Sequence, residues 1–229
     1  MYLLLYFYLG TNVKENSYFC HLHMEKTQKK QKTIAVFDFD GTLINRDSLP
    51  DFLIRTFGWP AFLIRLPLIL AMKIVAICHI LPVHTAKEKI FTSFFRNMKT
   101  EDFATACKQY ALRIPRLVYP AALNEIQNHL DTGHEVIIIS ASVPDWIRPW
   151  AETKGIHTVE GTELEIKNGV LTGCFATPNC KGEEKVRRLR KLFPDIATHT
   201  LYVYGDSSGD CELLALADVP FYKPFRNNR

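Results

Sequence analysis

Two acidic loops contain the residues of this sequence best suited to chemistry. Asp38 and Asp40 lie one residue apart in the run DFDGTL, and Asp206 and Asp210 lie in the run GDSSGD. Carboxylates held this close repel one another unless they share a proton or face a cation. Mg²⁺ prefers oxygen ligands of this kind and keeps coordination positions free for a phosphate group. The two loops therefore predict a magnesium site that meets a phosphorylated substrate.

Two further polar residues have the types that bind an anion. Ser140 ends the apolar run HEVIIIS and supplies a hydroxyl. Lys181 precedes a predicted helix, where backbone N–H groups and an ammonium can together hold an anion. Each residue alone has an ordinary explanation as the end of an element. Their order along the chain, together with the two acidic loops, predicts one shared site.

These residues need elements that bring them to one place. Short apolar runs directly before them predict buried strands, because their Val and Ile content is too continuous for a half-exposed sheet. The carboxyl ends of parallel strands meet at one sheet edge, where open α/β sheets bind their ligands. The predicted strands are 33–39, 134–140 and 199–204, with a short strand near 219–222.

Helical patterns separate the predicted strands, which indicates an α/β fold with a parallel sheet. The predicted helices of this core are 119–131, 144–154, 182–193 and 209–217. Asn168-Gly169 lies between alternating apolar residues and predicts a hairpin over 162–175. Between the first strand and residue 119 the sequence predicts helices alone, at 48–57, 60–80, 84–97 and 100–114.

The four motifs, in this order, resemble those of the haloacid dehalogenase superfamily of phosphohydrolases, in its phosphoserine-phosphatase-like branch (subfamily IB). Asp38-x-Asp40-Gly41-Thr42 resembles the first motif, Ser140 the second, Lys181 the third and Gly205-Asp206-x-x-x-Asp210 the fourth. The resemblance covers residues 33–222. It implies a Rossmann-like three-layer α/β core, 33–44 and 119–229, with an inserted helical cap of the C1 type, 45–118.

The resemblance also implies roles for the acidic residues. Asp38 is the expected nucleophile and forms an aspartyl-phosphate, while Asp40 is the expected general acid and then the base. The expected Mg²⁺ ligands are the carboxylates of Asp38 and Asp206 and the carbonyl of Asp40. Asp210 is expected to bind the ion through water or to orient another ligand. The implied function is Mg²⁺-dependent hydrolysis of a phosphomonoester, and a phosphotransferase that passes the phosphoryl group to an alcohol stays open.

The remaining motif residues form the expected phosphate-binding set. Ser140 and Lys181 are expected to hold the phosphoryl oxygens and offset their charge in the transition state. Thr42 is expected to support the loop beside them through its hydroxyl.

Asp47 is the residue whose position gives an indication of the substrate class. In phosphoserine phosphatases a cap glutamate nine residues after the nucleophile meets the substrate amine, and Asp47 stands at that position with a side chain one methylene shorter. A soluble phosphatase of small metabolites such as phosphoserine is therefore one alternative. The other explanation for Asp47 is that it caps a helix.

Residues 59–83 are unusually apolar for a soluble cap. The charged or titratable residues in this segment are Arg65, Lys73 and His79, which fall within an arc of roughly 120° on a helix. Pro67 is predicted to start a new helix, which by residue 81 is about 22 Å long and shorter than the hydrocarbon core of a bilayer. The segment therefore predicts an interfacial or re-entrant helix, with Trp59, Arg55 and Arg65 as interface anchors.

This apolar cap resembles that of the phosphatidylglycerophosphatase C branch, which removes a phosphate from a phospholipid headgroup. The resemblance implies a lipid substrate such as phosphatidylglycerophosphate and contact of residues 59–83 with a membrane surface. The alternative is a cap helix buried against other cap helices or in a dimer.

The composition limits the remaining function classes. The 229 residues carry a formal net charge of +4, which is too small to predict a nucleic-acid partner. The six cysteines form no C-x-x-C pair, which favours reduced thiols of a cytoplasmic protein. If residues 59–83 contact lipid, the expected location is peripheral or integral at the inner face of the membrane. Residues 1–32 predict a disordered leader with the natural start at Met24, and a short membrane-contacting anchor is the alternative.

Overall fold

The central sheet has five parallel strands. The computed structural model describes residues 32–226, so the predictions for residues 1–31 lie outside it. The strands are β1 Thr33–Phe37, β2 Glu135–Ile139, β3 Thr158–Glu160, β4 Leu164–Lys167, β5 Val170–Phe175, β6 Thr200–Gly205 and β7 Val219–Tyr222. The sheet order is β3-β2-β1-β6-β7, and every neighbouring pair runs parallel. The predicted α/β fold is confirmed.

Within the described residues, seven α-helices surround the sheet and form the insertion. They are α1 Ser48–Ile77, α2 Val83–Phe95, α3 Thr100–Ala111, α4 Pro120–Asp131, α5 Arg148–Glu152, α6 Glu183–Leu192 and α7 Cys211–Leu216. The predicted helix 144–154 is divided into a 3₁₀ turn, Pro144–Trp146, and α5. Pro149 explains the division, because its missing N–H suits the first turn of a new helix. Strand β3 is absent from the predicted set, since three residues with one buried side chain give no apolar run.

Alternate residues of the strands face two separate hydrophobic clusters. In β1, Ala35 and Phe37 join the cluster that includes α4, α5 and the inserted helices, whereas Ile34 and Val36 join the cluster that includes α6 and α7. All four side chains are completely buried. Both faces of the sheet are therefore covered, which is the three-layer arrangement typical of parallel sheets.

The predicted cap, 45–118, enters and leaves the core through two adjoining segments. The N–H of Asn45 donates to the carbonyl of Leu117 at 3.1 Å, and the N–H of Tyr119 donates to the carbonyl of Leu43 at 3.0 Å. Ile44 and Val118 pair as an antiparallel bridge between these bonds. The root of the insertion is therefore a short two-stranded ribbon.

The hairpin β4–β5 packs on the inserted helices. Gly173 has φ +83°, and a Cβ atom at this position would lie 2.4 Å from the Cα of Thr92 on α2. The Thr92 hydroxyl donates to the Gly173 carbonyl at 3.1 Å. Only glycine permits this approach of strand to helix. The hairpin turn itself is at Asn168 and Gly169, both with positive φ, as predicted.

Helix α1 bends once and then continues as a long apolar rod. Gly58 has φ 80° and ψ 160°, a backbone conformation that is essentially restricted to glycine. The helix runs through Pro67 without a break, so the prediction that Pro67 begins a new helix is wrong. A proline inside a helix removes one backbone hydrogen bond but does not have to end the helix. We call residues 59–77, which extend about 28 Å, the apolar arm.

One side of the apolar arm packs on the cap and the other side is exposed. Phe62, Ile69 and Met72 belong to the main hydrophobic cluster or pack against it. Arg65 also turns inward, because its guanidinium donates to the carbonyls of Ser93 (2.7 Å) and Ala61 (3.2 Å), so its predicted role as an interface anchor is wrong. The exposed apolar residues of the arm are Trp59, Leu63, Ile64, Leu68, Leu70, Ile74 and Ile77.

Candidate active site

Asp38 lies directly after β1 and faces a buried lysine. The Nζ of Lys185, on the first turn of α6, lies 2.6 Å from Oδ1 of Asp38 and 2.6 Å from Oδ1 of Asp210. Burial raises the pKa of Asp38 to about 6, although Lys185 acts in the opposite direction. Lys185 is 1% exposed. A single buried cation therefore neutralises part of the charge of two carboxylates from different loops.

Asp40 accepts hydrogen bonds from a different set of donors. Its Oδ1 accepts from the N–H of Ser48 at 2.9 Å, and its Oδ2 accepts from the hydroxyl of Ser142 at 2.5 Å. Burial, followed by the charge of Asp47, raises the pKa of Asp40 to about 7. Asp40 is therefore suited to carry a proton near neutral pH and to release it.

The second acidic loop follows β6. Asp210 accepts three hydrogen bonds at Oδ2, from the N–H groups of Asp206 and Ser207 and from the Ser207 hydroxyl. Burial acts to raise the pKa of Asp210, but Lys185 and these donors outweigh it, so the pKa lies below its usual value. Burial raises the pKa of Asp206, whose carboxylate contacts the guanidinium of Arg226.

Three carboxylates are close enough together to bind one metal ion. Oxygen atoms of Asp38, Asp206 and Asp210 all lie within 4.8 Å of one another. Hard oxygen donors in this number suit Mg²⁺, which binds through a few carboxylates and keeps water or phosphate in its other positions. The residues therefore fit the expected ion. The Asp40 carboxylate is directed to Ser48 and Ser142, in keeping with the prediction that Asp40 contributes only its carbonyl.

Thr42 and Ser140 both lie at this edge of the sheet and are buried. The Thr42 hydroxyl lies 3.5 Å from a carboxylate oxygen of Asp38 and 3.5 Å from one of Asp206. The Ser140 hydroxyl accepts from the N–H of Ser142 at 3.2 Å and lines the cleft. These contacts agree with support of the acidic loops by Thr42, and the roles of Thr42 and Ser140 both stay predictions.

The sequence prediction missed Lys185. Lys181, the residue predicted for the third motif, is exposed and lines the cleft, and its stem packs closely against Gly209. The ammonium that contacts Asp38 belongs instead to Lys185, one helical turn further on. The sequence does contain one indication that Lys185 is buried. It lies four residues before the apolar Leu189, and residues i and i+4 share one face of a helix. Lys181 remains a predicted ligand of the phosphoryl group.

Asp47 caps helix α1. Its Oδ1 accepts from the N–H of Leu49 at 3.0 Å, as the helix-cap alternative predicted. The residue is exposed and lines the same cleft as Asp38 and Asp40, which has a volume of about 440 Å³. Capping occupies one carboxylate oxygen and leaves the other able to face a substrate.

Comparisons with known proteins agree with the predicted resemblance. A family model described as haloacid dehalogenase-like hydrolase matches residues 35–215. Protein CicA of Caulobacter vibrioides is 31% identical over 200 residues, which are 84% of this chain and 86% of that protein. Histidinol-phosphatase of Neisseria meningitidis serogroup C is 29% identical over 217 residues, 82% of this chain and 89% of that protein.

Solved structures show the same fold. A Bordetella pertussis Tohama I protein of unknown function has a TM-score of 0.70 at 23% sequence identity. The alignment covers 82% of this chain and 88% of the Bordetella chain. A substrate-bound phosphoserine phosphatase has a TM-score of 0.57 at 18% identity, with coverage of 85% and 87%. The predicted resemblance and the predicted fold are confirmed.

Proposed function

Because the chain belongs to the haloacid dehalogenase-like hydrolases and is a phosphatase of that class, we propose that it hydrolyses phosphomonoesters with Mg²⁺ through an aspartyl-phosphate on Asp38. The observation that carries the proposal is the different bonding of two neighbouring carboxylates, Asp38 and Asp40. Asp38 faces the Lys185 ammonium, which favours its ionised form and opposes the rise of its pKa to about 6, whereas Asp40 is bound by neutral donors and its pKa is raised to about 7. One is therefore suited to be a nucleophile and the other an acid.

The reaction proceeds in two displacements at phosphorus. In the first, a carboxylate oxygen of Asp38 forms a bond to phosphorus while the bond to the alcohol oxygen breaks, and Asp40 gives its proton to that oxygen. In the second, water attacks phosphorus and gives a proton to Asp40, and the bond to Asp38 breaks to release inorganic phosphate. Asp38 is buried, with 6% of its surface exposed, which keeps bulk water away from the attacking carboxylate.

The other residues hold charge during these steps. Asp38, Asp206, Asp210 and the Asp40 carbonyl would hold Mg²⁺, which when bound offsets negative charge on the phosphoryl oxygens. Lys185 keeps Asp38 oriented, and Ser140 and Lys181 line the cleft where the phosphoryl group would lie. Donors fixed before the reaction stabilise charge without reorganisation.

Hydrolysis of p-nitrophenyl phosphate by the purified protein tests the chemistry. We expect turnover with Mg²⁺ and none with excess EDTA. Acid quench of the working enzyme should trap phosphate on Asp38, detectable by mass spectrometry. A phosphotransferase would instead give a phosphorylated alcohol when glycerol is added, so product analysis separates the two activities. Absence of turnover across a panel of phosphomonoesters would contradict the proposal.

We further propose that the substrate is the phosphate of a phospholipid headgroup and that the apolar arm contacts the membrane surface at the cytoplasmic face. Helix α1 is long and apolar enough to cross a membrane, with a mean hydropathy of 2.0 over 18 residues, of which 6% are buried. Ile64 and Ile77 are 77% and 76% exposed. Apolar surface of this extent is costly in water and marks a partner or a membrane.

The width of the exposed face favours lipid over a second copy of the chain. Trp59, Ile64, Leu68 and Ile74 belong to an uninterrupted apolar face that covers roughly 200° of the helix circumference. A partner helix covers a stripe of only about 100°. Lipid tails can surround the whole face, as they do around an interfacial helix. Lys73 lies at the edge of the face, where its ammonium can reach the headgroups.

Vesicle flotation and substrate preference test the lipid proposal. We expect the protein to float with phosphatidylglycerol vesicles and to prefer phosphatidylglycerophosphate to phosphoserine. The triple variant Ile64→Ser, Ile74→Ser, Ile77→Ser should lose flotation and keep hydrolysis of p-nitrophenyl phosphate. The matched control is Leu112→Ser with Ile166→Ser, two exposed apolar residues outside the arm. The lipid proposal is contradicted if the enzyme prefers phosphoserine or if the triple variant still floats with the vesicles. If sedimentation shows a dimer that the triple variant abolishes, the arm serves self-association instead.

A further inference from the structure

Lys87 extends from the cap helix α2 into the cleft. Its Nζ donates to the carbonyl of Ala141 at 2.7 Å and to Oδ1 of Asn179 at 3.2 Å. The rings of Phe91 and Phe175 flank the ammonium, with centroids 5.9 Å and 5.8 Å away. The residue lines the cleft together with Asp40. A long cationic side chain from the cap is therefore fixed at the catalytic edge of the core.

The two acceptors of Lys87 are themselves held in place. The Thr162 hydroxyl lies 2.9 Å from the Ala141 carbonyl and 3.2 Å from Oδ1 of Asn179. It also accepts from the N–H of Cys180 at 3.0 Å. Ala141 follows Ser140 directly, and Cys180 precedes Lys181. The lysine position is therefore fixed relative to both loops that carry predicted phosphate ligands.

Both bonded partners of the Lys87 ammonium are neutral. Two of its three N–H groups are satisfied, and within residues 32–226 no carboxylate is hydrogen-bonded to it. Burial lowers the pKa of Lys87, although the charges of Asp40 and Asp47 act in the opposite direction. Because the pKa stays below its usual value, the desolvation cost of the ammonium is only partly compensated. An anionic group of a ligand in the cleft would remove that cost.

The position of Lys87 indicates which part of a substrate it meets. Its acceptor Ala141 immediately precedes Ser142, which bonds Asp40, the proposed proton donor to the departing alcohol. Lys185, by contrast, lies on the side of the nucleophile Asp38. Asp47 also lines the cleft, but it is exposed and one of its oxygens caps α1, so solvent screens its charge more strongly.

We propose that Lys87 binds a second anionic group, carried by the alcohol part of the substrate, so that the enzyme prefers phosphomonoesters whose leaving alcohol bears a negative charge. This inference rests on the proposed phosphomonoester hydrolase and narrows its substrate class. A carboxylate or a phosphodiester a few bonds from the scissile phosphate has the required charge. An alcohol with an ammonium group is disfavoured.

Three small phosphomonoesters with different charges on the alcohol test the inference. They are 3-phosphoglycerate, with a carboxylate, glycerol 3-phosphate, with no charge, and phosphoethanolamine, with an ammonium. For the wild-type enzyme we expect kcat/KM to be about tenfold to hundredfold higher for 3-phosphoglycerate than for glycerol 3-phosphate, the range of one charged hydrogen bond. Lys87→Met should reduce this ratio to about one. Lys87→Glu should reverse the order in favour of phosphoethanolamine.

The ratio of two substrates on the same enzyme cancels any general loss of activity in a variant. Lys89→Met, an exposed lysine of the same helix, is the matched control and should keep the wild-type ratio. Lys87→Gln replaces Lys87→Met if the latter does not fold. A ratio unchanged in the Lys87 variant, or no preference for the anionic alcohol in the wild type, overturns the inference.

Binding separates this inference from the proposed function. Calorimetric titration of the Asp38→Asn variant with 3-phosphoglycerate and glycerol 3-phosphate measures the same preference without turnover. Loss of the preference on adding Lys87→Met supports the inference even if no phosphomonoester is hydrolysed. Hydrolysis of p-nitrophenyl phosphate with equal binding of the two ligands supports the proposed function and rejects the role of Lys87.

Discussion

The floor of the cleft and the apolar arm differ in what surrounds their side chains. On the floor, Asp38, Asp210 and Lys185 come from three segments of the chain and satisfy one another by direct bonds. On the arm, residues such as Ile64 and Ile77 extend into solvent on one side of one helix. The floor is determined by contacts inside the protein, whereas the arm has surface left for something outside it. The difference indicates that chemistry and substrate choice are separable in this protein.

The largest effect is expected from Asp38→Asn. An amide cannot attack phosphorus, so hydrolysis of p-nitrophenyl phosphate should fall by about 10⁴-fold or more, as for loss of other nucleophiles. Flotation with vesicles should stay at the wild-type level, because no contact of the arm involves Asp38. Loss of flotation in this variant would show that the two regions depend on one another.

Lys185→Met should affect both activity and stability. Its removal leaves Asp38 and Asp210 without their shared cation, which costs about 3–5 kcal/mol for a broken buried pair. Urea unfolding without Mg²⁺ measures this loss, and kcat should fall by about 10²- to 10³-fold. Lys181→Met is the control, since that side chain is exposed and its loss should change stability by less than about 0.5 kcal/mol. Equal destabilisation by both variants would refute the assignment of the buried cation.

Gly58→Ala tests the bend that directs the arm. The residue has φ 80° and ψ 160°, so alanine should lower the free energy of unfolding by about 1–3 kcal/mol or straighten the bend. Flotation and activity on lipid should fall, while kcat for p-nitrophenyl phosphate should hold. Gly133→Ala is the control, because Gly133 also has positive φ but follows α4 in the core. It should cost stability without changing flotation.

The smallest effect is expected from Arg226→Ala. The guanidinium contacts Asp206, one of the predicted metal ligands, so its removal should strengthen Mg²⁺ binding. The side chain is 40% exposed, which limits the gain to about fivefold. Calorimetric titration with Mg²⁺ measures the change, and Lys223→Ala, whose ammonium lies over the Tyr222 ring, is the control. Weaker Mg²⁺ binding after Arg226→Ala would mean that this arginine supports the site.

The core could be predicted from sequence because its strands are continuous apolar runs. β1, β2, β6 and β7 each lie within two residues of their predicted ends, and both acidic loops follow their strands as expected. Local patterns of this kind need no knowledge of distant parts of the chain. The three carboxylates that fit a metal ion were all among the predicted ligands.

The missed features depend on contacts between distant segments. Lysine is usually exposed, so the sequence gives no reason to expect a buried one at position 185. Lys185 is buried because it pairs with Asp38 and Asp210, which lie in other segments of the chain. Lys87 meets Ala141 and Asn179 because the inserted helices pack on the core. The predicted helices 48–57 and 60–80 already place a break at Gly58, where the helix bends, but the sequence does not show that the helix continues through Pro67.

The ribbon at the root of the cap has a consequence for how such enzymes diversify. The chain leaves the core at Asn45 and returns at Leu117, and these residues are already hydrogen-bonded to each other. The ends of the insertion are therefore fixed whatever lies between them. The entropy of closing a flexible loop grows only logarithmically with its length, by about 0.6 kcal/mol for each doubling. One catalytic core can thus accept lids of very different size and polarity at little thermodynamic cost, and the insertion that carries the apolar arm is one such exchangeable lid.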